Sequence, residues 1–275
     1  MKRYRVIYLD FDTRAATLSG DINPAWEQQV KELETSNRKQ ARQSIVAEYG
    51  AIGYEDKIQN FIDFGNIPLS VVAFHNKFFH QIRHSFVVGA YYPSLTATCA
   101  LGERILNHLI IGLRDFHKAT SEYKSVYRAS SFDNWKLAIN VLDAWGIWEG
   151  NTAEKYRNLA AIRNRAIHFN PETDKNDRAL ALEAISRLRE VVEIQFGAIG
   201  TMRWFIENTP GEAYIKKAYE LDPFVQLVYI SNCHLVGPLH YLKFNGRWFD
   251  VYDEDHYEEL EITDEEFVRL RQRSK

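Results

Sequence analysis

The chain has 275 residues, of which 45% are apolar and 26% are charged, and its formal net charge is −3. This composition is typical of a globular protein, and it excludes nucleic-acid binding through overall positive charge. Cys99 and Cys233 lack the spacing of a zinc ribbon or a disulfide framework, which favours a reducing cytosol. Neither a signal peptide nor the roughly 18 consecutive apolar residues of a membrane span can be recognised. We therefore expect a cytoplasmic protein without a membrane segment.

The N-terminal segment predicts a strand followed by helical structure. Residues 3–11 are rich in Val, Ile, Tyr and Phe, as strands are. Asn23 and Pro24 supply an N-cap and a first-turn proline for a helix that runs toward Gly50. The middle of this helix, 34–43, is almost wholly polar. It is therefore either an exposed arm or two helices broken within that stretch.

Helical periodicity dominates the middle of the chain. Apolar residues recur with helical spacing over 69–88, from Pro93 to about residue 113, over 135–145 and over 177–208. The small residues Ala97, Ala100 and Gly102 allow a neighbouring helix to approach closely. The residues expected on the core faces of these helices are Val72, Phe79, Ile82, Phe86, Leu95, Cys99, Leu106, Ile110, Leu113, Ala181, Ile185, Leu188, Val192, Phe196 and Ile199.

After Pro223 the pattern changes to that of strands. Strands are predicted over 225–235, 239–244 and 247–252, with Asn245-Gly246 as a two-residue hairpin turn between the last two. Thr263 with Glu266 predicts the start of a final short helix.

The predicted fold class is mainly α (α+β): a helical core with a small C-terminal β hairpin or sheet. The N-terminal strand can complete that sheet, because an isolated hairpin is marginally stable in water. We divide the chain into an N-terminal strand and helical arm (1–55), a helical core (56–208), and a small β appendage with a final helix (209–275). No internal repeat and no low-complexity linker is found.

The helix predicted over 151–170 carries the most informative polar residues. Its start is indicated by Asn151 with Glu154, and Pro171 ends it. At about 100° per residue, Arg163 falls inside an apolar stripe. The stripe is formed by Tyr156, Leu159, Ala160, Ala166 and Ile167. Because arginine is rarely buried without a partner, Arg163 is expected either to pair with a carboxylate or to point into a cleft.

The polar neighbours of Arg163 lie on an adjoining flank of the same helix. Arg157, Asn164 and His168 share that flank, whereas Arg165 points to solvent. An ordinary explanation is available, since a histidine near a helix end often serves as a C-terminal cap that the helix dipole favours. An arginine inside an apolar stripe is less usual and favours a functional role.

The segment 163–168, Arg-Asn-Arg-Ala-Ile-His, resembles the signature of HEPN domains (higher eukaryotes and prokaryotes nucleotide-binding). That signature has an Arg, a polar residue that is often Asn, three further positions and a His, which Arg163, Asn164 and His168 match. The stretch 90–110 also resembles the second helix of many members, which contains a Glu. The resemblance covers about 90–200.

The resemblance implies an up-and-down helical bundle, usually dimeric, that cleaves RNA without a metal or other cofactor. In that chemistry the 2′-hydroxyl attacks the adjacent phosphate and leaves a 2′,3′-cyclic phosphate. His168 would be the general acid or base, Arg163 would stabilise the phosphorane, and Asn164 would orient the phosphate or His168. Glu103 is an inward-facing candidate to pair with Arg163, or else an ordinary exposed glutamate.

The resemblance further implies RNA as substrate and a homodimer with a composite active site. It also implies a toxin or phage-defence role, in which an antitoxin or regulatory protein is a further partner. Because Arg163 and His168 are five residues apart, one ideal helix does not point them the same way. A working site therefore needs a bent helix end or a second chain. The alternative function is a non-catalytic HEPN module that binds nucleotide, RNA or protein.

Two other sequence features allow a functional interpretation. Lys77, His80 and His84 share a helix face with Arg83 nearby, and could contact RNA phosphates, although such a face is more often simply solvated. The pair His80 and His84 has the spacing of a metalloprotease helix, but Gln81 stands where that motif requires Glu, so zinc hydrolysis is disfavoured.

An acidic segment lies near the C-terminus. Ten acidic residues and no Lys or Arg occur over 250–266, which indicates a solvated acidic face or a polyanion mimic that shields a basic cleft. The sequence contains no glycine-rich phosphate loop, serine nucleophile elbow or carboxylate cluster for paired metals, so we predict no cofactor and no metal.

Overall fold

The computed structural model describes residues 1–7, 12–167, 173–198, 202–246, 248–254, 257 and 260–273. The predicted fold class is confirmed, since these residues form a mainly helical protein with a small antiparallel β part. The helices are α1 (Arg14–Ser19), α2 (Gln28–Tyr49), α3 (Tyr54–Phe64), α4 (Ala73–Val87), α5 (Tyr91–Leu113), α6 (Tyr123–Val126), α7 (Trp135–Ala144), α8 (Thr152–Ile167), α9 (Thr173–Phe196), α10 (Pro223–Val228) and α11 (Asp264–Arg273). The strands are β1 (Arg3–Val6), β2 (Ala213–Tyr214), β3 (Cys233–Val236), β4 (Tyr241–Phe244) and β5 (Phe249–Tyr252). No helix of the described residues is long and apolar enough to cross a membrane.

Helix α5 is the centre of the main core and packs against α4, α7, α8 and α9. The predicted core face of α5 is confirmed, because Leu95, Cys99, Leu106, Ile110 and Leu113 are all buried. The predicted face of α9 is also buried as far as Phe196, whereas Ile199 lies outside the described residues. Long helices with a regular apolar period bury that face because each buried large side chain contributes roughly 1.5–3 kcal/mol.

The N-terminal arm differs in detail from the prediction. Helix α2 is a single unbroken helix that begins at Gln28, with Glu27 rather than Asn23 at the N-cap. The Asn23 side chain instead accepts a hydrogen bond from the backbone N–H of Ala25, which closes a separate turn. Only the C-terminal half of α2 is buried, where Ile45 lies in a small second core with α1 and α3.

The N-terminal strand pairs with strands of the C-terminal region, as predicted, but it does not complete the predicted hairpin, which remains a separate two-stranded sheet. Strand β1 lies between β2 and β3 in antiparallel order β2-β1-β3. Strands β4 and β5 form a separate two-stranded hairpin. Beyond Phe244 and Phe249, the Asn245 backbone N–H donates to the Trp248 carbonyl and the Asn245 side chain accepts from the backbone N–H of Trp248, so Asn245 pairs with Trp248 instead of occupying the predicted two-residue turn.

Two predicted elements of the C-terminal half are wrong. The predicted strand 225–235 begins in α10, since Asp222 caps the N–H groups of Phe224 and Val225 and Pro223 occupies the first turn, and only its last three residues belong to a strand, β3. Helix α9 ends at Phe196 instead of residue 208, because the chain then pairs with Ser70 through Gly197 and with Val71 through the Phe196 carbonyl.

The main hydrophobic cluster continues beyond residue 208. Trp204 and Phe205 lie in it together with Ile215, Phe224 and Tyr229. The division of the chain at 55/56 and 208/209 stays a prediction. What the packing does establish is that α5 and its neighbours form a fixed frame for the side chains of α7 and α8.

Candidate functional site

Helix α8 presents Arg163 from within its buried face. Tyr156, Leu159, Ile162 and Ala166 are buried, while 22% of the Arg163 side chain is exposed. The predicted apolar stripe is therefore buried at Tyr156, Leu159 and Ala166, whereas Ala160 is half-buried and lines the groove described below. Ile167 was predicted on the stripe, but its side chain lies outside the described residues.

A carboxylate and an indole ring hold the Arg163 guanidinium. Its Nη2 donates to Glu103 Oε2 at 3.1 Å, and the same oxygen accepts from Trp135 Nε1 at 3.0 Å. The guanidinium carbon lies 5.3 Å from the centre of the Trp135 ring. Of the two alternatives given for Glu103, the structure has the pairing with Arg163, and 37% of the Glu103 side chain is exposed. The remaining guanidinium N–H groups make no hydrogen bond to the part of the chain that the structure describes.

A glycine on α5 brings these three side chains together. A Cβ at Gly102 would lie 2.8 Å from the tip of the Trp135 ring and 3.2 Å from Leu159, so any larger residue would displace the indole. This is the close approach predicted for Gly102. Nearby, burial raises the pKa of the Cys99 thiol to about 11, so that thiol is protonated at neutral pH and is a poor nucleophile.

Helices α7 and α8 enclose a groove of about 470 Å³ into which Arg163 faces. The lining residues are Asp133, Asn134, Trp135, Lys136, Ile139, Asn140, Arg157, Ala160, Ala161, Arg163 and Asn164. Three cations and one carboxylate lie among these described residues; Arg163 and Arg157 are paired with Glu103 and Asp143, so Lys136 is the cation that remains for an anionic ligand. Lys136 and Asn140 have no hydrogen-bond or ionic partner among the described residues.

The structure brings together three of the predicted site residues, Arg157, Arg163 and Asn164, in this groove. Arg157 pairs with Asp143 at 2.8 Å, with both side chains half exposed. Asn164 is exposed. Arg165, on the opposite side of α8, is exposed and pairs with Glu183 at 3.3 Å, in agreement with its predicted orientation toward solvent.

His168, the predicted general acid or base, lies outside the described residues, as do Asn170 and Pro171, which were predicted to end the helix. Helix α8 is described to Ile167, the residue directly before this histidine. The catalytic role of His168 therefore stays a prediction.

The sequence did not predict the α7 side of the groove. Lys136 and Asn140 are four residues apart and therefore lie on one face of α7, opposite Arg163 and Asn164. Neither residue belongs to a recognisable motif. The only available signal was that both are polar residues in a short helix whose other face is apolar, which many surface helices share.

The predicted RNA contacts on α4 are divided between surface and core. Lys77 and His84 are exposed and His80 is half-buried. His84 stacks on Tyr49, with 5.2 Å between ring centres. Arg83 was predicted as an RNA contact, and this prediction is wrong because only 2% of the residue is exposed.

The buried Arg83 guanidinium is paired with Asp12, a residue distant in sequence. Arg83 Nη1 lies 2.7 Å from Asp12 Oδ2, and its guanidinium carbon lies 4.8 Å from the centre of the Phe61 ring. A guanidinium enclosed in this way stabilises the attachment of the N-terminal arm. It does not lie on the surface that RNA phosphates could reach.

Replacing Asp12 by Ala is expected to lower the free energy of unfolding by about 3–5 kcal/mol, because it leaves Arg83 buried without its partner. Burial raises the pKa of Asp12, but the hydrogen bond from Arg14 and the charges of Arg83 and Arg14 outweigh this and hold the pKa well below its ordinary value. This contribution is therefore present above the unfolded pKa, about 4, and is lost as the pH falls further.

Urea unfolding at pH 7 and pH 3 checks this prediction. The difference between the wild type and Asp12→Ala should be large at pH 7 and smaller at pH 3. Asp115→Ala is the matched control, since Asp115 pairs with Lys118 at an exposed site and should change stability by less than about 1 kcal/mol. Equal effects of the two substitutions would contradict the structural role of Asp12.

The acidic segment near the C-terminus takes part in local structure. Asp264 accepts a hydrogen bond from buried Arg3 at 2.7 Å, and Asp253 accepts from the backbone N–H of Gly237 at 2.7 Å. Glu266 and Thr263 form the predicted capping box of α11. None of the described acidic residues of 250–266 lines the α7–α8 groove.

Comparisons with protein-family models, with curated proteins and with solved structures found no match for this chain. Among the described residues, no three His, Cys, Asp or Glu side chains are grouped so that they could hold a metal ion. The HEPN resemblance accordingly stays a prediction based on the motif at 163–168.

Proposed function

We propose that the chain is an endoribonuclease of HEPN type that works without a metal ion. The observation that carries the proposal is the Arg163 guanidinium, which Glu103 and Trp135 hold at a groove lined by cations and amides. A guanidinium fixed in this way needs little reorganisation to bind a phosphate, and its planar donor fork matches phosphate oxygens. Asn164 follows it on the same helix, and His168 follows in the sequence directly after the last described residue of α8.

In the proposed reaction, the ribose 2′-hydroxyl attacks the adjacent phosphorus. A general base takes the proton of the hydroxyl, the bond from phosphorus to the 5′-oxygen breaks, and a general acid protonates the leaving oxygen. The products are a 2′,3′-cyclic phosphate and a 5′-hydroxyl. We assign proton transfer to His168, charge stabilisation of the phosphorane to Arg163, and orientation of the phosphate to Asn164.

A homodimer is part of the proposal. Five residues along an ideal helix correspond to a rotation of roughly 140°, so Arg163 and His168 of one straight helix do not converge. A second copy that contributes the facing residue resolves this, as does a bend at the end of α8. The proposal includes RNA as substrate and a location in the cytoplasm, which the two free cysteines support. It also includes a toxin or phage-defence role with an antitoxin or regulatory partner.

A second candidate function is a non-catalytic module that binds RNA, nucleotide or a protein. It is favoured by the composition of the groove, whose described lining contains no residue with an ordinary pKa near neutrality. Acid–base catalysis therefore depends on His168. The two candidates differ in whether bound RNA is cut.

Incubation of the purified full-length chain with single-stranded RNA in EDTA tests the proposal. The proposal expects fragmentation of the RNA, and expects that expression of the wild type slows growth more than expression of Arg163→Ala. RNA that is bound but stays intact at high protein concentration would favour the binding module. RNA that is neither bound nor cut would contradict the enzyme and the RNA-binding form of the module, and would leave a module that binds nucleotide or a protein.

Lys136→Ala is expected to weaken RNA binding without a change in the rate at saturating RNA. Lys136 contributes a positive charge to the groove but is not one of the residues assigned to proton transfer or to stabilisation of the phosphorane. Loss of one phosphate contact should reduce the slope of log affinity against log salt by about 0.7 for single-stranded RNA. Fluorescence anisotropy over a salt series measures this. Lys124→Ala, at an exposed lysine outside the groove lining, is the control, and an identical slope in both variants would contradict the assignment.

A further inference from the structure

A second surface rich in cations and aromatic rings lies where α4 packs against α5. The α4–α5 patch consists of Phe74, Lys77 and Phe78 on α4 and Arg104 and His108 on α5. The Arg104 guanidinium carbon lies 5.3 Å from the centre of the Phe78 ring. The His108 ring lies 4.9 Å from that of Phe74, and the two phenylalanine rings are 6.4 Å apart. These contacts form one continuous cluster across the two helices.

The polar members of the patch are accessible. Lys77, Arg104 and His108 are exposed, whereas the two phenylalanines beneath them are half-buried. Phe74 and Lys77 are three residues apart on α4, and Arg104 and His108 are four apart on α5, so each pair shares one helix face. Within the part of the chain that the structure describes, Lys77 and Arg104 form no ion pair.

Carboxylates are absent from this face of the two helices. Helix α4 contains no Asp or Glu, and the single acidic residue of α5 is Glu103. Glu103 is turned toward α7 and α8, where it accepts hydrogen bonds from Trp135 and Arg163. The patch is therefore locally positive although the chain has a net charge of −3.

The chemistry of the patch fits a single-stranded nucleic acid. Exposed cations bind the phosphate backbone, and planar groups offer surfaces on which unpaired bases stack. Arg104 is held against Phe78 and therefore loses less conformational freedom on binding than an unsupported side chain. Burial, followed by the charge of Arg104, lowers the pKa of His108, so this residue offers a neutral ring at pH 7.

We propose that the α4–α5 patch binds single-stranded RNA as a contact site separate from the α7–α8 groove. The inference rests on the proposed RNA substrate and adds a surface that no motif marks. Arg104 follows Glu103 directly on α5, and Glu103 accepts a hydrogen bond from the groove residue Arg163.

Fluorescence anisotropy with a labelled, 2′-O-methylated single-stranded oligonucleotide tests the proposal, because that probe lacks the attacking hydroxyl and stays intact. The double variant Lys77→Ala/Arg104→Ala should weaken binding by about 10-fold or more at low salt and reduce the salt slope by about 1.4. Arg104→Lys should fall between the wild type and the double variant, since it keeps the charge but loses the planar group.

Arg128→Ala is the matched control. Arg128 is also an exposed arginine stacked on a ring, 5.0 Å from the centre of Tyr127, and it lies outside the patch and the groove lining. The Arg128→Ala variant should bind RNA with an affinity within 2-fold of the wild type, a difference of about 0.4 kcal/mol or less. Thermal unfolding of every variant confirms that each is folded at the assay temperature.

The outcomes separate this inference from the proposed function. If the double variant Lys77→Ala/Arg104→Ala binds RNA with the same affinity as the Arg128→Ala control, the proposed role of the patch is overturned and the proposed enzyme is not affected. If unmodified RNA is bound through the patch but is never cut, the proposed enzyme is overturned and the patch is retained. A duplex or polyglutamate bound as tightly as the single strand would overturn the assignment to single-stranded RNA, and a wild type that binds no RNA would overturn both.

Discussion

Replacement of His168 by Ala is expected to reduce the rate of RNA cleavage by about 10²–10⁴-fold, the range that loss of a positioned general acid or base produces. The imidazole is the one group of the motif that titrates near neutral pH, so no other residue of 163–168 can replace it. RNA affinity should change little, because the groove residues that bind the phosphates are unaltered. Single-turnover cleavage with saturating protein measures the loss without a contribution from binding.

The control for this substitution is His234→Ala. His234 is an exposed histidine on β3, outside the groove lining, and should leave the cleavage rate unchanged. If His168→Ala cleaves RNA as fast as His234→Ala, the assignment of acid–base catalysis to His168 is wrong. If both variants cleave slowly, the loss reflects the fold and not the proposed chemistry.

Arg163→Ala is expected to lower the cleavage rate by about 10²–10³-fold, as the loss of one preorganised donor to a charged transition state does. Arg163→Lys should recover only part of the rate, because an ammonium group lacks the planar fork that contacts two oxygens at once. Since Glu103 and Trp135 hold the guanidinium in place, the effect should appear in the rate more than in RNA affinity.

Arg165→Ala is the matched control for Arg163→Ala. Arg165 lies two residues further along the same helix, carries the same charge and is exposed beside Glu183. Cleavage that is slowed equally by the two substitutions would show that α8 acts only through its overall positive charge. Slow cleavage by Arg163→Ala together with normal cleavage by Arg165→Ala would support the groove as the site of reaction.

The sequence predicted those parts of the fold that depend on long, regular patterns. The core faces of α5 and α9 were predicted because apolar residues recur over five or more turns. For Arg163, a charge inside an apolar stripe predicted either a carboxylate partner or a cleft, with Glu103 as a candidate partner. Short segments were less certain. The run 225–235 is rich in β-branched and aromatic residues, yet the cap formed by Asp222 and Pro223 makes its first part a helix.

Arg83 and Arg163 show which information the sequence lacks. Both lie beside buried apolar residues on amphipathic helices, but Asp12 encloses Arg83 in the core, whereas Arg163 faces a groove. The difference comes from where other elements pack. For the same reason Lys136 in the groove and Arg104 in the α4–α5 patch were not predicted as functional residues, because their surroundings depend on how α7 and α5 pack.

The chemistry of the product ends tests the central claim most directly. After cleavage of a defined single-stranded RNA in EDTA, we expect 2′,3′-cyclic phosphate and 5′-hydroxyl ends, and no cleavage at a position where the attacking nucleotide carries 2′-deoxyribose. Fragments with 3′-hydroxyl and 5′-phosphate ends, or equal cleavage at the deoxy position, would contradict attack by the 2′-hydroxyl and with it the function proposed for the Arg163 groove.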